Sequence, residues 1–155
     1  MAYSIVIPNS VMDDALNKAI EVLIEKYEQL GMEATGEWKR ELESVVEGNK
    51  GIIRGMAYTE QLVQGREPGR RPPVDAIEVW VNAKLKKTGK EGRGIAFAVA
   101  NKIAESGTTW YQRGGSDLLE VLEDNEVLNA YYDTIGAYVR TDIADELKRE
   151  FKTLE

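Results

Sequence analysis

Apolar residues recur at Met12, Leu16, Ala19, Leu23, Tyr27 and Leu30, three or four positions apart, with polar residues between them. That spacing describes one stripe along an α-helix. Ser10 is placed to cap its start, Asp13 and Asp14 lie in the first turn where the helix dipole favours acids, and Gly31 ends it as a left-handed cap. Ahead of this helix, Tyr3 to Ile7 alternates and stops at Pro8, which reads as a short strand or an extended arm.

From Glu37 the period changes to two. Trp38, Arg40, Leu42, Ser44 and Val46 alternate with Glu37, Lys39, Glu41, Glu43, Val45 and Glu47. A half-exposed strand fits this pattern, and its Glu and Lys content also admits a helix. Gly48-Asn49-Lys50 supplies a turn, and Gly51 to Tyr58 reads as the returning strand. A lone hairpin is marginal in water. It must be covered by the first helix, joined by the N-terminal strand, or extended by a neighbouring subunit.

Pro72 and Pro73 then open a helix carrying Val74, Ile77, Trp80 and Val81 on its apolar side, with Asp75 and Glu78 near its start and Lys84, Lys86 and Lys87 near its end. TGKEGRG at 88–94 reads as a flexible basic loop. In the next helix Ile95, Val99 and Ile103 form one ridge, and Ala96, Ala100 and Ala104 form another that permits close helix–helix approach. Gly107 caps it. Thr108 to Gly115 reads as a loop with two adjacent aromatics, and Ser116 or Asp117 as the cap of a helix through Leu118, Leu119, Val121 and Leu122. From about Val127, the residues Leu128, Tyr131, Ile135, Val139, Ile143, Leu147 and Phe151 trace a long amphipathic helix, with Gly136 a weak point. The predicted class is α+β, mostly helical, with a small antiparallel sheet packed on the long N-terminal helix. No repeat or linker divides residues 1–155, so one domain is expected.

Composition narrows the chemistry. The chain has no Cys and no His. Thiol nucleophiles, disulfides, Cys/His zinc sites and catalytic triads built on His are therefore excluded, leaving only carboxylate and Lys chemistry. The acid clusters Asp13/Asp14, Glu123/Asp124/Glu126 and Asp142/Asp145/Glu146 lack the spacing of a calcium loop and read as solvated helix faces. Gly89 to Gly94 lacks the Walker spacing, and Glu91 would repel a phosphate. No enzyme, metal or cofactor is expected. IAFAVA at 95–100, the longest apolar run, is far short of the roughly 20 residues of a membrane span, and the N-terminus lacks the basic lead of a secretory signal.

The net charge of −7 is uneven. Residues 66–93 hold eight Lys/Arg against four acids, whereas residues 115–155 hold four against eleven. The basic segment suits incidental contact with a nucleic-acid backbone, with Trp110 and Tyr111 as a stacking platform, and a nucleic-acid-binding accessory role is the alternative it supports. Its lysines equally suit the end of a helix. Tyr58, Arg66, Arg70 and Arg71 surround two Pro-Gly and Pro-Pro corners that fix a loop's shape, a composition that favours docking. Tyr58 and Trp80 packed in the core beside solvated arginines would give the same pattern.

The order of these features adds a resemblance. YTEQLVQGREPGRRPPVDAIEVWV at 58–81 contains an aromatic residue, then Gly65-Arg66, Pro68-Gly69 and Pro72-Pro73, then a helix with Ile77 and Trp80. An Ala-rich helix and a Gly-Thr loop with aromatics follow, in IAFAVANKIAESGTTWYQRGG. This series resembles the tail-completion, or head–tail joining, proteins of tailed bacteriophages and prophages. It covers 58–115 closely and 10–57 in outline, and leaves the acidic helical region 116–155 unmatched. The resemblance implies a structural virion protein of the phage neck or tail, assembled in the host cytoplasm. It implies a ring, most often a hexamer, that joins the head connector to the tail tube and lets DNA pass without sequence-specific binding or any membrane. Tyr58, Arg66, Arg70, Arg71, Trp110 and Tyr111 would then face a subunit or neck partner, with Glu123, Asp124 and Glu126 as lumen acids.

Overall fold

A computed structural model of the chain describes residues 5–153. In chain order its elements are α1 (Asn9–Gln29), α2 (Glu37–Arg40), β1 (Glu43–Glu47), β2 (Lys50–Arg54), α3 (Thr59–Gln64), α4 (Val74–Leu85), α5 (Gly89–Ser106), α6 (Thr109–Gln112), a 3-10 turn (Glu120–Glu123) and α7 (Asn125–Thr153). The class is the one the pattern predicts: mostly helical, with a small antiparallel hairpin packed against a long N-terminal helix. The chain forms two compact units whose boundary falls inside α1, after Leu23.

The first unit comprises the start of α1, the β-hairpin and the residues from Val121 onward. Met12, Ala15, Leu16, Ile20 and Leu23 are its buried apolar positions. Met12, Leu16 and Leu23 belong to the stripe read from the sequence, Ala15 and Ile20 widen it, Ala19 is half-buried, and Leu30 at the end of the stripe is exposed. The hairpin pairs Glu43 with Arg54, Val45 with Ile52 and Glu47 with Lys50, leaving a two-residue loop at Gly48-Asn49. Helix α1 covers one face of the hairpin: the Ser44 hydroxyl donates to Asp13 Oδ1 and lies 3.3 Å from Asn17 Oδ1. A Cβ added at Gly51 would stand 3.0 Å from the methyls of Leu16. Covering by α1 is thus the way this marginal hairpin is held. Ile5 to Pro8 adds no strand, and among the described residues the sheet has two strands. The remainder of the expected N-terminal strand, Tyr3 and Ser4, lies outside the described residues.

The second unit runs over Ile24–Glu41 and Gly55–Glu120. Helix α1 ends as expected: Met32 N–H bonds Tyr27 O at 3.3 Å and Gly31 N–H bonds Glu28 O at 2.9 Å, the paired bonds of a Schellman cap. Lys84 Nζ donates to Gly31 O and Glu33 O at 2.8 and 3.0 Å, supplying donors just beyond that end. Helices α4 and α5 pack together. Val81, Ala96 and Ala100 are all fully buried, so the alanine ridge does allow close approach.

Five expectations are corrected or narrowed here. Of the two readings open from Glu37, residues 37–40 take the helical one, with Trp38 turned inward to stack on Tyr27 at 4.5 Å, and the strand starts only at Glu43. The returning strand stops at Arg54, and Thr59–Gln64 is helical. Helix α5 begins at Gly89, so most of the expected basic loop is helix. Gly92 is buried there, with the Lys87 carbonyl 2.4 Å from where a Cβ would stand. Thr109–Gln112 makes one helical turn, while the region after Ser116 makes a turn and the short 3-10 segment instead of a helix.

Candidate docking site

The segment between α3 and α4 has no regular structure over residues 65–73, yet it is tied along its length to α5 and α6. Arg66 and Thr108 form a reciprocal pair: Arg66 N–H donates to Thr108 Oγ1 and Thr108 N–H donates to Arg66 O, each at 2.9 Å. Gly69 N–H bonds Ala104 O at 2.8 Å near the end of α5. Upstream, the Trp110 indole donates to Gln61 O at 2.8 Å, and Ser116 bonds Val63 O and Leu62 O through its N–H and hydroxyl. The chain's own backbone groups therefore serve as the partners that a strand would otherwise provide.

Two glycines make this junction. Gly65 has φ 80° and ψ −175°, and Gly107 has φ 75° and ψ −179°. Both lie in a region of backbone space that is essentially open to glycine alone. They are also crowded. A Cβ on Gly65 would stand 2.6 Å from Tyr111 N, and one on Gly107 would stand 2.6 Å from Arg66 O.

Beside the junction lies an open cleft of about 440 Å³, lined among others by Glu60, Gln64, Arg66, Glu67, Arg70 and Tyr111. Arg66 is half-buried, and its Nη2 reaches Arg70 O at 3.2 Å, which stiffens the turn from within. Arg70 is exposed at the rim, and Tyr111 is 40 % exposed. Arg71 leaves the cleft: it lies 5.4 Å from the Phe97 ring centroid, with Nη1 3.4 Å from Asn101 Oδ1. Arg93 approaches the same ring at 5.8 Å. Two guanidinium groups thus flank one exposed aromatic, and the charge of Arg93 there is offset by Glu78 and Asp75.

The structure thus brings Arg66, Arg70 and Tyr111 together at one cleft and sets Arg71 against Phe97 instead. Trp110 is half-buried, and its N–H is used within the fold. Tyr58 is half-buried at the start of α3, and its hydroxyl pKa is raised, first by burial and then by the charges of Glu37 and Glu41. Glu123, Asp124 and Glu126 are exposed where the 3-10 turn meets α7, in the other unit. Asn101 and Phe97 were not singled out by sequence reasoning. Phe97 follows Ala96 in the Ala-rich helix, where an apolar residue ordinarily reads as core.

Much of the basic segment is engaged within the chain. Arg93 bonds Glu78 and Asp75 at 2.5 and 3.0 Å, and those hydrogen bonds raise its pKa further. Lys87 pairs with Glu91 at 2.8 Å. Lys26 bonds Asp117 at 2.5 Å and thereby lowers the Asp117 pKa. Among the described residues, no group of three or more acids could hold a metal ion, and no helix is long and apolar enough to cross a membrane. Compared with known protein families, curated proteins and solved structures, the chain matches none.

Proposed function

We propose that the protein is a structural subunit of a phage neck or tail, acting by assembly with further copies and with neighbouring connector and tail components rather than by chemistry. The supporting observation is the junction at Gly65 and Gly107. It fixes a proline-rich turn on two helices and holds Arg66, Arg70 and Tyr111 beside an open cleft before any partner arrives. An element already held in place loses little conformational entropy on docking. Arginine and tyrosine are residues that interfaces favour. The resemblance of residues 58–115 to head–tail joining proteins points the same way, and a ring of six copies is the assembly it implies.

Reversing Arg70 and Arg71 together tests this reading. Arg70→Glu with Arg71→Glu should leave the helical circular dichroism unchanged, because both side chains are exposed. It should abolish association of the purified chain by light scattering and stop particle maturation. Normal particles from the double variant would sink the assignment. The exposed acids Glu123, Asp124 and Glu126 are proposed to face passing DNA and keep it from sticking. Charge reversal of all three should slow DNA ejection, and unchanged ejection would remove that role. A nucleic-acid-binding role would rest on Arg70, Lys86 and Lys90, and would show itself as salt-dependent DNA binding by the isolated chain.

A further inference from the structure

Helix α7 carries an apolar row, one residue in four from Val127 to Phe151, that changes surroundings along its length. Val127, Tyr131, Ile135 and Tyr138 are half-buried on the side that packs within the first unit. There Thr134 accepts a hydrogen bond from Lys18 Nζ at 2.8 Å, and the Tyr138 hydroxyl donates to Val6 O at 3.3 Å. Further along the same row, beyond half-buried Val139, Ile143, Leu147 and Phe151 are 40, 53 and 69 % exposed. They stand four residues apart, so at 3.6 residues per turn they form one continuous ridge over the last three turns. Scattered apolar residues on a surface need no explanation, whereas an aligned ridge does.

The charges beside this ridge are sorted. Asp142, Glu146 and Glu150 run along one edge, again four residues apart. Lys148 and Lys152 run along the other, following Ala144. Asp145 and Arg149 fall behind, where each forms an ion pair with a neighbour: Asp145 with Lys148 at 3.3 Å, and Arg149 with Glu146. Exposed pairs of this kind are weak and exchange readily. The ridge is therefore bounded by an acidic rail and a basic rail.

This sorting selects a partner and its direction. If two copies of α7 met antiparallel, the two-fold axis would set each rail beside the same rail of the other copy, acid on acid and base on base. If they run parallel, the acidic rail of one copy lies beside the basic rail of the next, as at the flanking positions of a parallel coiled coil. We infer that the exposed ridge of α7 is a contact for a second copy of this chain, with the two α7 helices parallel. Ile143, Leu147 and Phe151 form the apolar seam, and Glu146 and Glu150 face the partner's Lys148 and Lys152. The same relation holds for a two-fold pair and for successive copies in a ring. It rests on α7 alone and not on the neck reading.

The absence of cysteine makes the test clean. Ile143→Cys and Phe151→Cys are made singly in the full chain and oxidised at low protein concentration, with Arg149→Cys on the opposite side as the control. In a parallel seam each residue meets its own counterpart within disulfide reach. Each seam variant should therefore cross-link by itself, at least about tenfold faster than the control. Cross-linking only when the two seam variants are mixed would mean an antiparallel pair and overturn the inference. So would equal rates for seam and control, or no cross-linking in a chain that stays monomeric and leaves the ridge to another partner. Charge variants give an independent readout. Glu146→Lys with Glu150→Lys, and Lys148→Glu with Lys152→Glu, should each weaken self-association about tenfold or more, and an equimolar mixture should restore it. A mixture no tighter than either variant alone would count against the rails. A chain that forms rings without the α7 cross-link would lose this contact and keep the neck reading; parallel cross-links in a chain with no neck role would do the reverse.

Discussion

Trp38→Ala should lower the free energy of unfolding by about 3–5 kcal/mol, the range for removing a large aromatic from a closed site. Trp38 is fully buried, and its ring stacks on Tyr27 at 4.5 Å with an interplanar angle of 29°. Its indole N–H donates to Thr59 Oγ1 at 2.8 Å, and that hydroxyl donates to Met56 O at 2.7 Å. One side chain thus ties the end of α1 to the start of α3. Alanine would leave a cavity under Tyr27 and an unfilled acceptor at Thr59 in the same place. Trp38→Phe, which keeps a ring for Tyr27 and loses only the hydrogen bond and part of the volume, should cost about 1–2 kcal/mol. Urea unfolding of the two variants and the parent measures both losses. Equal midpoints for parent and alanine variant would mean that Trp38 does not hold these elements together.

Trp38 also shows why part of the fold escaped the sequence. In the linear pattern it heads an alternation from Glu37 to Glu47, and only the part from Glu43 is a strand. The aromatic that suggested a strand was responding to a tertiary partner, Tyr27, which no period of two can reveal. Helices α1, α4 and α7 were legible because each carries apolar residues at helical spacing, and α1 and α4 also carry stop or start signals, Gly31 and Pro72-Pro73. Spacing did not show that Trp80 and the C-terminal part of the α7 row are exposed. The stretch from Gly89 was misread for a different reason. Glycine marks flexibility in one context and close approach in another, and Gly92 is the second case: α5 passes so near the Lys87 carbonyl that no larger residue fits.

The candidate site divides in the same way. Its residues were visible as a cluster of Tyr, Arg, Pro and Gly, because interfaces and rigid turns favour those types. The grouping of Arg66 and Arg70 with Tyr111 was not, since it depends on hydrogen bonds between Arg66 and Thr108, 42 residues apart. Nor could spacing show that Arg71 turns away to Phe97 while Arg66 turns back on its own loop.

Gly107→Ala should break that junction, at a cost of about 2–6 kcal/mol. Two effects combine. An alanine at φ 75° and ψ −179° sits in a backbone region that costs about 1–3 kcal/mol. Its methyl would also stand 2.6 Å from Arg66 O and 2.8 Å from Tyr111 Cδ1, and relieving such crowding typically costs about 1–3 kcal/mol more. The cheapest relaxation is for Arg66 O to move away, which breaks its bond from Thr108 N–H and frees the turn from α5. Gly65→Ala should do the same from the other side, because its methyl would meet Tyr111 N at 2.6 Å and Thr108 Oγ1 at 2.7 Å. Both variants should therefore lose amide-exchange protection at Thr108 and Gly69 first, while α4 and α5 remain paired through Val81, Ala96 and Ala100. Gly94→Ala is the control, since it lies within α5 with nothing within 4 Å of the added methyl and should be neutral or stabilising by up to about 1 kcal/mol. If the docking reading is right, Gly107→Ala should also assemble as poorly as the double arginine reversal, although it leaves every arginine in place. Normal assembly with exchange protection lost would show that a pre-set turn is not what the partner needs, and retained protection would mean that the junction tolerates a side chain after all.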